Sequence, residues 1–153
     1  MALFRRKVDY ALVVLSYLHH QPQGGCARMI AQRFGLKIAF TAKVLKLLCQ
    51  VGLVRSQRGQ RGGYLLGRPA DQISLGELLD LMQEPFELTD CSRAGAKSCE
   101  LLGTCPVSGA LQAVDHRVRR FLHTIRLSDL FEPLGESRCE TEQRLQLTLA
   151  RKV

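Results

Sequence analysis

Cys91, Cys99 and Cys105 stand in a stretch rich in Cys, Gly and Ser, separated by seven and five intervening residues, just ahead of a helical pattern. Three thiols on such a loop are hard to explain as packing. Thiolates are soft ligands that suit iron–sulfur clusters, zinc or copper(I). A structural zinc site usually shows paired ligands at short spacing and a fourth protein ligand nearby, and no C-x2-C occurs here. The spacing points to a metal site without naming the metal, and it leaves a thiol redox switch or chance clustering open. Cys26 and Cys49 fall within or beside helical patterns, where a free cysteine behaves as a small buried apolar group. Cys139 has no evident role.

The second chemistry is electrostatic. The formal net charge is +8, with 22 Lys and Arg against 14 Asp and Glu. Residues 1–70 hold 12 of those bases and a single acid, Asp9, while residues 71–153 are slightly acidic. A polyanion therefore meets the first half, where nucleic acid is the expected partner. Anionic lipid would call for one strongly amphipathic basic helix, whereas these bases are scattered over several elements.

The elements that position these groups follow from apolar spacing. Val8, Leu12, Leu15 and Leu18, with Ala11 and Val14, predict a helix over about 6–20. Pro22-Gln-Gly-Gly25 ends it. A short helix over 27–34 stops at Gly35, and a second over 38–51 stops at Gly52. Two helices joined by a tight glycine turn are a helix-turn-helix, and Lys37, Thr41, Lys43 and Lys46 give the second a basic polar face. Leu53 to Gln57 alternates like a strand, Arg58-Gly-Gln-Arg-Gly-Gly63 turns, and Tyr64-Leu-Leu66 returns, which predicts a wing. Arg58 and Arg61 at its tip are placed to meet phosphate or the minor groove.

Arg68-Pro-Ala-Asp71 reads as a boundary. Ser74-Leu-Gly-Glu77 is a capping box opening a helix over 75–83. Pro106 suits the first position of a long helix to about Arg126. Its Val107, Leu111, Val114, Val118, Phe121 and Ile125 step by four and three, a heptad seam that predicts a dimerisation helix. Ser128–Phe131 starts a brief turn. The expected fold is mainly α with a small β-hairpin wing: a winged helix-turn-helix over 1–70, a thiol loop and dimerisation helix over 71–132, and a loose tail over 133–153.

No apolar run reaches the ~18 residues of a membrane span. Arg5-Arg6-Lys7 before an apolar stretch imitates a secretory signal, but Asp9 interrupts it, His19-His20-Gln21-Pro22 follows, and no small-x-small cleavage site stands in place. A core helix in a cytoplasmic protein with reduced cysteines is expected. No phosphate loop, dinucleotide fingerprint or nucleophile with a base partner supports an enzyme or a small-molecule substrate.

Asp9-Tyr-Ala-Leu12, the wing Arg58-Gly-Gln-Arg-Gly-Gly-Tyr64, Ile73-Ser-Leu75, and the cysteines in Asp90-Cys91, Cys99 and Cys105-Pro106 occur over roughly residues 1–132 in the order of one family. On these residues the chain resembles the Rrf2 family of winged-helix transcription regulators, with IscR-like and NsrR-like branches. The resemblance implies a homodimer in which Cys91, Cys99 and Cys105 hold a 2Fe–2S or 4Fe–4S iron–sulfur cluster whose state alters affinity for a double-stranded DNA operator. In the IscR-like branch a histidine follows the last cysteine after two residues; here that place is Ser108, a poor ligand. In the NsrR-like branch an acid in the first helix of the other subunit completes the site, and Asp9 occupies the matching position. The alternative for Asp9 is a salt bridge with a nearby arginine. His116 and His123 are expected at the surface or core edge.

Base reading is expected from Lys37, Phe40, Thr41 and Lys43, and phosphate contact from Arg28, Arg55, Arg58 and Arg61. The rival function is a winged-helix regulator sensing zinc or thiol oxidation without a cluster. A structural DNA-binding protein would show strong salt dependence with little operator preference.

Overall fold

The computed structural model describes residues 6–59, 62–89, 101 and 104–132. Arg61, Cys91, Cys99, Cys139 and the tail over 133–153 lie outside the described residues.

Helix α1 (Arg6–His20) buries Val8, Ala11, Val14, Leu15 and Leu18, a stripe at three- and four-residue steps that faces the core. Helix α2 (Ala27–Phe34) ends at Gly35, which adopts φ +65°, a left-handed cap that favours glycine. Helix α3 (Ile38–Gln50) then lays Val44, Leu45 and Leu48 against α1. Each of these side chains contributes about 1.5–3 kcal/mol by leaving water.

Strands β1 (Val54–Gln57) and β2 (Gly63–Leu66) pair antiparallel, Val54 opposite Leu66 and Gln57 opposite Gly63. The hairpin is fastened to the helix-turn-helix by reciprocal bonds: the Gly25 N–H donates to the Tyr64 carbonyl at 3.1 Å, and the Tyr64 N–H to the Gly25 carbonyl at 2.9 Å. These bonds tie β2 to the segment that leads into α2.

After a 3-10 turn at Ala70–Gln72 come α4 (Leu75–Leu81), α5 (Ser108–Leu122) and α6 (Leu127–Phe131). Ile73, Leu78, Leu79, Met82, Leu127 and Phe131 join the same buried cluster as Val8, Leu15 and Leu45, so one core runs across the expected 70/71 boundary. Arg68 at that boundary reaches Glu77 at 2.6 Å. The fold is the expected mainly helical one with a two-stranded wing.

Three local expectations need correction. The Ser74 hydroxyl does accept from the Glu77 N–H at 3.1 Å, but the Glu77 carboxylate turns to Arg68 instead of closing the box. Pro106 precedes α5, which starts at Ser108, because the Cys105 carbonyl accepts from both the Ser108 N–H and hydroxyl in a turn. At its other end α5 stops at Leu122, since Ile125 and Leu127 leave the helix to bond Leu75 and Ile73 at 2.8 and 2.9 Å. Gly76 lets α5 close on α4: a Cβ there would stand 2.8 Å from the His123 nitrogen.

Candidate nucleic-acid interface and thiol site

The outer side of α3 carries Lys37, Ile38, Ala39, Lys43, Lys46 and Gln50, all exposed. Ala39, Lys43, Lys46 and Gln50 step by four and three and form one stripe. Arg28 and Arg33 on α2, Arg55 on β1 and Arg58 in the wing turn are exposed as well. Among the described residues none of these cations pairs with a carboxylate; the ion pairs there use Lys7, Arg68, Arg119 and His123. An uncompensated basic surface spread over a helix pair and a wing suits a nucleic-acid backbone.

Two of the expected base readers face elsewhere. Thr41 is fully buried and its hydroxyl donates to the Lys37 carbonyl at 3.2 Å, so it serves the first turn of α3. Phe40 is half-buried, with its ring edge-on to Tyr10 at 4.6 Å between centroids. Lys37 and Lys43 stand on the open side, as do Arg28, Arg55 and Arg58. The sequence reading passed over Ile38, 48% exposed in the first turn of α3. An apolar side chain there is suited to a thymine methyl group.

Of the three loop thiols, Cys105 lies among the described residues. It is free and half-buried, in the turn that feeds α5. The Ser108 hydroxyl is committed to the Cys105 carbonyl at 3.1 Å. Among the described residues no three His, Cys, Asp or Glu side chains gather at a metal-sized site. Cys26 caps α2 without a side-chain bond, and both it and Cys49 are half-buried rather than core residues. Burial pushes the Cys49 thiol pKa up, because desolvation disfavours the thiolate.

Asp9 is exposed on α1, and no ion pair ties it within the described residues. The same helix is anchored at both ends to the second half of the chain: Lys7 Nζ meets Glu84 at 2.6 Å, and His20 Nε2 donates to the Phe131 carbonyl at 2.9 Å. His116 is exposed, and His123 lies 3.2 Å from Asp80.

The apolar seam of α5 divides. Val118 and Ile125 pack on the chain's own core, while Val107, Val114 and Phe121, seven residues apart, are 52, 45 and 48% exposed. Among the described residues no helix is long and apolar enough to cross a membrane.

Residues 4–133 match the model of the Rrf2 family, described as iron-dependent transcriptional regulators. The chain is 33% identical over 101 residues to the HTH-type transcriptional regulator IscR of Cronobacter sakazakii, covering 66% of this chain and 61% of that protein. It spans less than two thirds of the length of the curated relatives it matches. Its fold is similar to CymR of B. subtilis, the global cysteine regulator of that organism, with TM-score 0.67 and 25% identity over 86% of this chain and 97% of that one. It is also similar in fold to IscR of T. potens, with TM-score 0.64 and 23% identity over 88% of this chain and 89% of that one.

Proposed function

The chain belongs to the Rrf2 family of transcriptional regulators, and from that premise we propose that it acts in the cytoplasm as a homodimer that binds a two-fold double-stranded DNA operator. Operator affinity follows the state of an iron–sulfur cluster, 2Fe–2S or 4Fe–4S, held by Cys91, Cys99, Cys105 and Asp9 of the partner subunit. The observation that carries the DNA half is the basic face of α2, α3 and the wing, on which, among the described residues, no carboxylate pairs with the exposed cations.

The donor set fits such a cluster. Three thiolates are the ligands these clusters take. The Cys105 thiol is free, Ser108 spends its hydroxyl on the turn, and Asp9 stands exposed with no ion pair among the described residues. When bound, the cluster supplies bonds that oxidation, nitric oxide or iron shortage can break.

The chain's own contacts carry the consequence to DNA. Tyr10, next to Asp9, packs its ring on Phe40 in the first turn of α3. A shift of α1 therefore reaches the recognition helix through a direct aromatic contact. Because α1 is bonded to Glu84 and Phe131, it moves with the second half of the chain as well. In a dimer those movements set the separation of the two α3 helices, which must match half-sites about 34–36 Å apart.

Selection of an operator from random DNA, followed by titration at several salt concentrations, tests the DNA half. The expected preference over unrelated DNA is ~10³-fold or more. Arg58→Ala should weaken binding to every sequence and lower the salt slope by about one, as loss of one phosphate contact does. Lys43→Ala should cost about 1–3 kcal/mol and relax preference at one base position. Equal binding to all sequences would leave only a structural DNA-binding protein. Likeness to CymR favours a second reading, in which the thiols answer zinc or oxidation with no cluster; it predicts a colourless protein.

A further inference from the structure

The rotation of α3 is fixed by what it buries. Val44, Leu45 and Leu48 lie in the core, Thr41 is fully buried with its hydroxyl on the Lys37 carbonyl, and the Phe40 ring stands edge-on to Tyr10. Ala39, Lys43, Lys46 and Gln50 are left as one outward stripe, because steps of four and three return to the same side of a helix. Ala39 is the member of that stripe in the first turn, the end of a recognition helix that meets base edges. Its next two neighbours on the stripe are ammonium donors. Between residues 10 and 70 the sequence holds no Asp or Glu, so no carboxylate acceptor stands anywhere on α2 or α3.

In the major groove the amino groups of adenine and cytosine ask for an acceptor, and guanine O6 and N7 ask for a donor. Thymine alone presents an apolar group, its C5-methyl. We propose that Ala39 is a specificity-determining residue that reads the C5-methyl of a thymine in each operator half-site. The inference rests on the operator reading above. A methyl group makes no hydrogen bond, so Ala39 selects by apolar contact: it favours the thymine methyl and would leave an amino group at that place without water or partner. Lys43, one turn further along the same stripe, supplies a donor for a neighbouring base.

The test starts from the duplex that the wild-type protein selects from random DNA. Each thymine is replaced in turn by deoxyuridine, which removes the C5-methyl and keeps every hydrogen-bonding atom. One thymine per half-site should prove sensitive. Its replacement should weaken binding about fourfold, the worth of one buried methyl, and replacement in both half-sites about fifteenfold, since separated positions add. Ala39→Gly removes the protein's methyl and should bind the thymine and deoxyuridine duplexes alike. Ala39→Ser sets a hydroxyl at the contact and should also lose the preference, which keeps the test valid if glycine loosens the first turn. Both variants should bind an unrelated duplex as the wild type does and with the same salt slope, because no charge has changed. A duplex without a deoxyuridine-sensitive thymine overturns the proposal. Sensitivity that survives undiminished in both variants overturns it as well and passes the contact to another side chain, such as the exposed Ile38. An equal loss on operator and unrelated DNA overturns it too, since Ale39 would then act on the fold alone. Failure of the operator reading shows itself earlier and removes both: selection with the wild-type protein then yields no preferred sequence.

Discussion

Cys105→Ala protein is expected to bind the operator with one affinity whatever its treatment with iron and sulfide, whereas wild-type affinity shifts some 5- to 150-fold between cluster-loaded and cluster-free forms. That range corresponds to a coupling of ~1–3 kcal/mol between two sites. The reasoning is local. Cys105 sits in the turn that feeds α5, and its carbonyl already accepts two bonds from Ser108, so the backbone of the turn is held while the thiol is free. Alanine removes the sulfur and leaves the turn, so folding and basal DNA binding should survive. Anaerobic gel-shift or fluorescence-anisotropy titrations of both proteins, loaded and unloaded, decide it. Asp9→Ala sharpens the result: a loosened cluster supports ligation across the dimer, and an unaltered one returns Asp9 to a salt bridge.

If the proposed homodimer forms through α5, Phe121→Glu should give monomers at micromolar concentration and lower operator affinity at least a hundredfold. Val107, Val114 and Phe121 form a ridge repeating every seven residues and about half open to solvent. Each chain of a symmetric pair would place the same ridge against its partner. A glutamate at that seam would be doubled by symmetry, placing two carboxylates where both lose water. Once the chains separate, the second half-site no longer binds at the high effective concentration that linkage provides, typically 10²–10⁴ in avidity. The substituted ring is outside the chain's own core, so circular dichroism should not change. Analytical ultracentrifugation reads the outcome, and an intact Phe121→Glu dimer would move the interface off this ridge.

Periodicity made most of the helices readable. The stripe Val8, Ala11, Leu15, Leu18 defines α1 wherever it packs, and Gly35 marks a left-handed cap because few other residues tolerate φ +65°. The inward place of Thr41 is legible too, against its expected base-reading role: with Val44, Leu45 and Leu48 it completes an i, i+3, i+4, i+7 set, which buries it despite its hydroxyl. The division of the α5 seam was not legible. A heptad spacing marks an apolar stripe but not which edge of it the chain's own core will take, and that depends on how Gly76 lets α5 approach α4. Asp115 was hidden for a similar reason. On a wheel its i+4 partner Arg119 is legible, but its burial and its second partner, the Leu88 backbone N–H 27 residues away, are not. Glu77 chose Arg68 over the capping box because a charged partner outweighs a neutral backbone donor.

The most direct measurement is a visible absorption spectrum, with iron and acid-labile sulfide counted per chain, on protein purified or reconstituted without oxygen. A cluster on Cys91, Cys99 and Cys105 predicts a coloured sample with iron and sulfide in equal numbers, two or four of each. A colourless protein that takes up no sulfide under those conditions would contradict it.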